Sequence, residues 1–459
     1  MIKAVLLVPA RIPSFLRFGW PLIGFALALL VSSPRFADAA EAQQPAGTVA
    51  IGSASVEALV QEAVGKSAEL AALQARIRSA EAMVAPASAL PDPMASVGMV
   101  NIPVHSGIRL DQDTMSGLEV MVSQDLPRTK KRRLSGQSQS LEARMLRARY
   151  DDKRNNLVKL VKQTYFELQY LDEAIHTTDR NKQLAQDILK AAEAQYSTGK
   201  GVLQDVFQAQ GRLSQMLNML VEMRQDRAMT ASKLSKLLYR PPDTPVGETP
   251  PLQRTEVTLE AQALIDRALA ASPQLAEMGA KLGQQETKLN LARQEIKPDF
   301  KVEFRYMFRQ PVGMDPMSGT DMWSAIVGVN LPWVYRRQKV DQDVKAAQSE
   351  QTAAGQDIAA MRNELGQMVQ SMVIDVNRAN QQISLVETAL LPQAEGALAS
   401  SKAAYQTGQL PFVSLLDNQM NLYTQQLRRA ELLEGREKSL AELEYLVGGE
   451  LVGAGAVTG

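Results

Sequence analysis

From Ile358 to Leu390, the apolar positions Ile358, Met361, Leu365, Met368, Met372, Val376, Ala379, Ile383, Val386 and Leu390 recur at steps of three and four. That spacing lines them along one seam of a coiled-coil helix. Leu157, Leu160, Thr164, Leu168, Leu171 and Ile175 make the same seam earlier in the chain. Glycine and proline are nearly absent around both, which predicts long helices over about 134–197 and 338–404. A helix of about 64 residues is roughly 95 Å long at 1.5 Å per residue. Pro392 is expected to bend the last turns of the second one. Further helices are expected over about 55–85, 203–239, 259–296 and 412–447.

Elsewhere the period drops to two. Phe300, Val302, Phe304, Tyr306 and Phe308 alternate with Lys301, Glu303, Arg305, Met307 and Arg309. Trp323, Ala325, Val327, Val329 and Leu331 alternate with Met322, Ser324, Ile326, Gly328 and Asn330, and Leu118, Val120 and Val122 face away from Glu119, Met121 and Ser123. Strands are thus expected over about 93–103, 115–126, 299–309 and 321–331. Their length and alternation suit a transmembrane barrel, with Phe300, Val302, Phe304, Tyr306, Phe308, Trp323, Val327 and Val329 to lipid and Lys301, Glu303, Arg305 and Arg309 to the lumen. A half-buried sheet of a soluble domain is the plainer alternative. Four strands cannot close a barrel, for which about eight are the practical minimum. Because open edges are not tolerated in lipid, two copies with eight strands or three with twelve are required.

The two kinds of element occur twice in the same order. YSTGKGVLQDVFQAQ at 196 answers YQTGQLPFVSLLDNQ at 405, and LVQEAVGKSAEL at 59 answers LIDRALAASPQL at 264. Pro91-Asp92 answers Pro298-Asp299, and Leu126-Pro127 answers Leu331-Pro332, so the chain is an internal duplication. It divides into a leader over 1–40, a first repeat over 41–240, a proline-rich connector over 241–257, a second repeat over 258–448 and a flexible tail over 449–459. Each YxTG stretch interrupts a helical pattern and is read as the turn of a helical hairpin, with Gly199 and Gly408 supplying the left-handed or close-approach residue.

Composition narrows the setting. The 459 residues carry 50 Lys and Arg against 50 Asp and Glu, so no global charge points to nucleic acid. Aromatics are only 5%, which favours long helices over a sheet-rich globule. Cysteine is absent, which excludes disulfides, thiolate metal sites, cysteine nucleophiles and a lipid-bearing cysteine. Lys3, Arg11 and Arg17 precede the apolar run from Gly19 to Val31, and Ala37 and Ala39 fit a cleavage site, so a secretory signal cut after about Ala39 or Ala40 is expected.

The order of helix, strand pair, long helix, YxxG tip and return helix, made twice, resembles the TolC family of outer-membrane efflux ducts over essentially the whole mature chain. The resemblance implies a mainly α fold with a β-barrel contribution, a homotrimer with a twelve-stranded barrel and a helical tunnel, and a place in the outer membrane of a Gram-negative bacterium. It implies as partners a periplasmic adaptor protein, an inner-membrane pump of the resistance-nodulation-division type and outer-membrane lipid. LPDPMASVGMVNIP and TMSGLEVMVSQDLP, the latter followed by a Lys/Arg cluster, are similar to ducts of heavy-metal efflux systems, with copper, silver, zinc or cobalt as cargo. The family pattern implies adaptor-contacting tips at Tyr196, Thr198, Gly199, Tyr405, Thr407 and Gly408, and a tunnel constriction at Asp205, Tyr405 and Asp417. Leu410 and Ser414 stand where some members have the Arg and Asp of a closing salt link, so closure here must rest on packing or other bonds. Lys130, Lys131, Arg132, Arg133, Arg336 and Arg337 follow the strands and are expected at the periplasmic rim, against lipid head groups or simply solvated. Drug efflux and type I protein secretion use the same fold, and a periplasmic coiled-coil scaffold without a pore is the rival of another class.

Other chemistry fails on inspection. Gly65-Lys66-Ser67 lacks the first glycine of a phosphate loop, since Val60 occupies that place. His105 and His176 are far apart and make no zinc pattern. Methionine is plentiful at 20 residues, but Met94 and Met99 fall on opposite strand faces and most others fill helical seams. No nucleophile–base constellation can be assembled, so neither enzymatic activity nor a cofactor or bound metal is expected.

Overall fold

The computed structural model describes residues 55–451 apart from 106, 112 and 314–318. The expected leader and the end of the tail, 452–459, lie outside the described residues. Each repeat opens with short helices: α1 (Val56–Lys66), α2 (Ala68–Ala82) and α3 (Val84–Ser88) in the first, α6 (Ala261–Ala271) and α7 (Pro273–Gln294) in the second. The single helix expected at each place is split at a serine. The Ser67 hydroxyl accepts from the Leu70 N–H at 3.2 Å and that of Ser272 from Leu275 at 3.4 Å, so each caps a new helix start, with Pro273 in the first turn of α7.

Four strands follow in two pairs, β1 (Met94–Val100) with β2 (Gly117–Leu126) and β3 (Phe300–Arg309) with β4 (Met322–Val329). They form one antiparallel meander in the order β1-β2-β3-β4, so a single sheet joins the two repeats through the β2–β3 ladder. That ladder runs unbroken from Gly117 opposite Arg309 to Leu126 opposite Phe300.

Two helical hairpins complete the chain. The first is α4 (Thr129–Ser197) with α5 (Leu203–Leu237). The second is α9 (Arg337–Leu385), a five-residue π turn at Val386–Leu390, α10 (Leu391–Gln406) and α11 (Phe412–Val447), with the short α8 (Pro332–Tyr335) leading into it. The backbone absorbs Pro392 just after the π turn. Proline cannot donate to the carbonyl four residues back, and a step to the wider π spacing precedes it, so the helix continues.

The seams are buried in part as expected: Leu365, Val376, Ala379, Ile383 and Val386 are closed to solvent along the second hairpin and Thr164, Leu168 and Leu171 along the first. Ile358, Met361, Met368, Met372, Leu390, Leu157, Leu160 and Ile175 are only half-buried, and Val369, Val373, Val161, Tyr165 and Ala174 complete the buried stripes instead. The core is a chain of clusters strung along the helices. One joins α1, α4 and α5 through Leu59, Val161, Leu168 and Leu234, and another joins α6, α9 and α11 through Leu264, Leu365, Val369 and Leu443. Helix α4 also packs on α11, which holds the two hairpins side by side.

Candidate functional site

Both hairpin turns end in the same backbone motif. Gly199 has φ +70° and Gly408 φ +76°. The Gly199 N–H donates to the Tyr196 carbonyl and the Lys200 N–H to Gln195, both at 3.0 Å. At the other tip, Gly408 donates to Tyr405 at 3.0 Å and Gln409 to Ala404 at 2.9 Å. These paired bonds over a left-handed glycine are the Schellman termination, which satisfies carbonyls the helix end leaves open. Thr198 and Thr407 return their hydroxyls to the helices at 3.1 Å from Ala194 and 3.0 Å from Ala404. Thr198, Gly199, Thr407 and Gly408 are all exposed.

The tyrosines break the symmetry that the repeat suggests. Tyr196 is 47% exposed, whereas Tyr405 is 8% exposed and packs its ring on Phe412, centroids 5.2 Å apart. Phe412 occupies the place of Leu203 in the first tip, and Leu203 stays exposed together with Val202 and Phe207. The sequence pattern set both tyrosines at the tips and Tyr405 also at the constriction, and it missed Phe412, whose aromatic ring was the available signal.

Both tips of one chain border a cavity of about 600 Å³, lined among others by Gln195, Lys200, Asp205, Gln208, Tyr405 and Leu410. The Tyr405 hydroxyl and the Gln208 amide oxygen are buried there with no hydrogen-bond partner among the described residues. Burial pushes the Asp205 carboxyl above the usual carboxylate range, and burial with the nearby Asp205 charge pushes the Tyr405 hydroxyl up. Asp205 and Tyr405 are therefore brought together, while Asp417 is exposed on α11. Leu410 lines the cavity as well.

At the other end, the register sorts the strand residues by face. Phe300, Val302, Phe304 and Tyr306 stand opposite Val329, Val327, Ala325 and Trp323, while Leu118, Val120 and Val122 stand opposite Phe308, Tyr306 and Phe304. Ala95, Val97 and Met99 extend the same face into β1. The apolar side chains are open: Val327 is 71% and Trp323 68% exposed. The reverse face carries an ion network. Glu303 meets Lys301 and Arg305 at 2.9 Å each, Glu119 lies 4.0 Å from Arg305, and Arg309 donates to the Thr114 and Thr320 carbonyls. The register also places Met94, Met121, Met307 and Met322 on this face, with Met99 on the other.

The basic cluster needs one correction. Lys130 to Arg133 form the first turn of α4, and Lys131 turns inward, buried, to Asp299 at 2.6 Å and Glu295 at 3.7 Å. Asp299 also accepts the Arg128 N–H at 3.0 Å. Lys131 is thus committed to the joint between the repeats and is not free for head groups, because a buried ammonium requires a partner. Arg132 is half-buried and donates to the Ser88 carbonyl, while Lys130, Arg133, Arg336 and Arg337 are exposed. His176 contacts Glu248 on the helix surface and His105 lies in the β1–β2 loop. No cluster suited to a metal ion occurs among the described residues.

A four-stranded sheet with one lipid-like face, joined to paired helical hairpins, defines an outer-membrane channel protomer. The model of the Outer membrane efflux protein family matches residues 59–238 and 264–449, and the chain belongs to that family. It is thereby a protein of the outer membrane and one of a family of channels rather than enzymes. Its fold is similar to that of the outer-membrane channel OprN, with TM-score 0.73, 15% identity and coverage of 86% of this chain and 90% of that one. The outer membrane protein VceC from Vibrio cholerae is similar at TM-score 0.73 and 17% identity over 86% and 96% of the two chains. CusC is similar at 0.71 and 18% identity over 86% and 92%. Among curated proteins no sequence match was found.

Proposed function

We propose that three copies of this chain assemble into a passive exit duct, the outermost part of a tripartite efflux system. The observation that carries the reading is the two-faced sheet, whose edges at β1 and β4 are free among the described residues. Its open apolar face suits lipid, and its unpaired edges need further strands, which neighbouring copies supply. Three copies bring the sheet to twelve strands and set six helical tips around one mouth. The tips dock on a periplasmic adaptor, and a pump of the resistance-nodulation-division type in the inner membrane provides the energy. Asp205, Tyr405 and Asp417 line the narrow end until docking splays the hairpins. The leader over 1–40 directs export and is removed.

The cargo is proposed to be heavy-metal cations, on the likeness of LPDPMASVGMVNIP and TMSGLEVMVSQDLP to ducts of metal efflux systems. Fractionation tests the duct: a heat-sensitive trimer in the outer membrane is expected, and a purely soluble protein would sink it. Growth of a deletion strain on copper, silver, zinc, cobalt, detergents and antibiotics tests the cargo. Sensitivity to metals alone, reversed by a plasmid copy, is expected. Sensitivity to drugs or detergents instead would keep the duct and discard the metals.

A further inference from the structure

The connector between the repeats has the proline content of a plain spacer, yet the same three-part device fastens it to both hairpins. On the first hairpin, Thr249 donates its N–H (2.9 Å) and its hydroxyl (2.7 Å) to Asp172 Oδ2 of α4. Arg227 of α5 pairs with Asp172 and also reaches the Gly247 carbonyl of the connector at 2.9 Å. On the second hairpin, Thr255 donates its N–H (3.2 Å) and its hydroxyl (2.7 Å) to the Glu437 carboxylate of α11. Arg436 pairs with Glu437, reaches the Thr255 carbonyl at 2.5 Å and is itself steadied by Asn380 of α9 at 2.6 Å.

Asp172, Thr249, Arg436 and Glu437 are all buried. A spacer needs none of this, and buried ion pairs add little stability over apolar residues of the same size. What such groups can do is select one arrangement among near-equals. Between the two fastenings, Gln169 donates to the Pro250 carbonyl at 2.9 Å. Leu252 packs against the cluster of Ile383, Val386, Leu432 and Leu433. Val386 is also the first residue of the π turn, and π turns interrupt helices at functional positions more often than elsewhere.

We infer that the connector is a clamp: it holds the two hairpins at one spacing beside the π turn, and the tips splay only when Thr249 or Thr255 leaves its carboxylate. The inference rests on the duct reading and adds to it the element that sets the closed state. Thr249→Val with Thr255→Val removes both hydroxyls and keeps the side-chain shape. Two lost hydrogen bonds to charged groups shift the closed–open ratio by about tenfold or more.

The chain has no cysteine, so Gln409→Cys places a single spin label on the exposed second tip of each copy. In the assembled protein the double valine variant is expected to lengthen and broaden the distances between labels and to raise open-pore events in planar bilayers about tenfold. Thr249→Ser with Thr255→Ser keeps both hydroxyls and should behave as the unaltered chain. Leu365→Ala, which empties a buried site in another cluster, should lower heat stability without moving the labels. Unchanged label distances and pore currents in the valine variant, with hydrogen exchange showing the Thr255 amide released, would overturn the clamp. The same change in Leu365→Ala would overturn it too, by making the effect one of general loosening. An unaltered protein that forms no pores would overturn the duct and the clamp together.

Discussion

Replacing Gly408 asks whether the second tip is held by backbone conformation or by side-chain contact. Its φ of +76° lies in the left-handed region, and a Cβ built there would meet nothing within 4 Å. Steric overlap with neighbours therefore contributes nothing, and the whole cost of a side chain is conformational. For an L-residue that cost is about 1–2 kcal/mol. Alanine should thus weaken the turn by roughly 5- to 30-fold in population. Valine should do worse, since a branched Cβ makes positive φ a true outlier, while asparagine should recover much of the loss because it enters this region several-fold more readily. The readout is hydrogen exchange of the Gln409 amide, bonded to the Ala404 carbonyl at 2.9 Å. Protection should fall in the order glycine, asparagine, alanine, valine, and cross-linking to the adaptor should fall in the same order while trimers persist. Valine matching glycine, or asparagine failing as badly as valine, would refute the argument.

Three further outcomes are expected. Phe304→Arg puts a charge on the apolar face of the sheet and should cost about 2–4 kcal/mol in membrane-folded stability, whereas Ser324→Arg on the reverse face should cost far less. Equal losses in urea titrations of the vesicle-inserted protein would mean that the faces are misassigned. Lys131→Met leaves Asp299 with the Arg128 N–H alone and should cost about 1–3 kcal/mol, read as a lower temperature of trimer dissociation in detergent; no change would mean that the joint is held elsewhere. Burial raises the Asp205 carboxyl, so ionising it costs the folded tip stability. That cost is absent below the unfolded value of about 3.9 and grows as pH rises through the folded value. Tip amides should accordingly exchange more slowly in acid after correction for the intrinsic rate, and Asp205→Asn should abolish the dependence. A dependence of opposite sign would reject the assignment.

Much of the architecture follows from local periods. An alternation of two assigns the strand faces whatever the partner strand, which is why Phe304 and Trp323 could be placed on one face before any pairing was known. A three-and-four step assigns the helical seam, and a glycine after YxT marks a helix reversal because φ is a property of one residue. Ser67 and Ser272 show the limit of that reasoning. The helical period runs straight through both, and only their hydroxyl bonds to Leu70 and Leu275 reveal the break.

What the sequence determined by itself is therefore the inventory and its repetition: four amphipathic strands, two long hairpins and two matching turns. What the tertiary structure decided is which distant groups meet. Lys131 turns to Asp299, 168 residues away, although it reads as one of four exposed cations. Tyr405 is buried and Tyr196 exposed because Phe412 stands beside only one of them. The connector is fastened through Thr249 and Thr255 because α4 and α11 lie side by side beneath it. Local periods depend on neighbours along the chain, whereas buried ion pairs and ring contacts depend on the separation of helices that only packing sets.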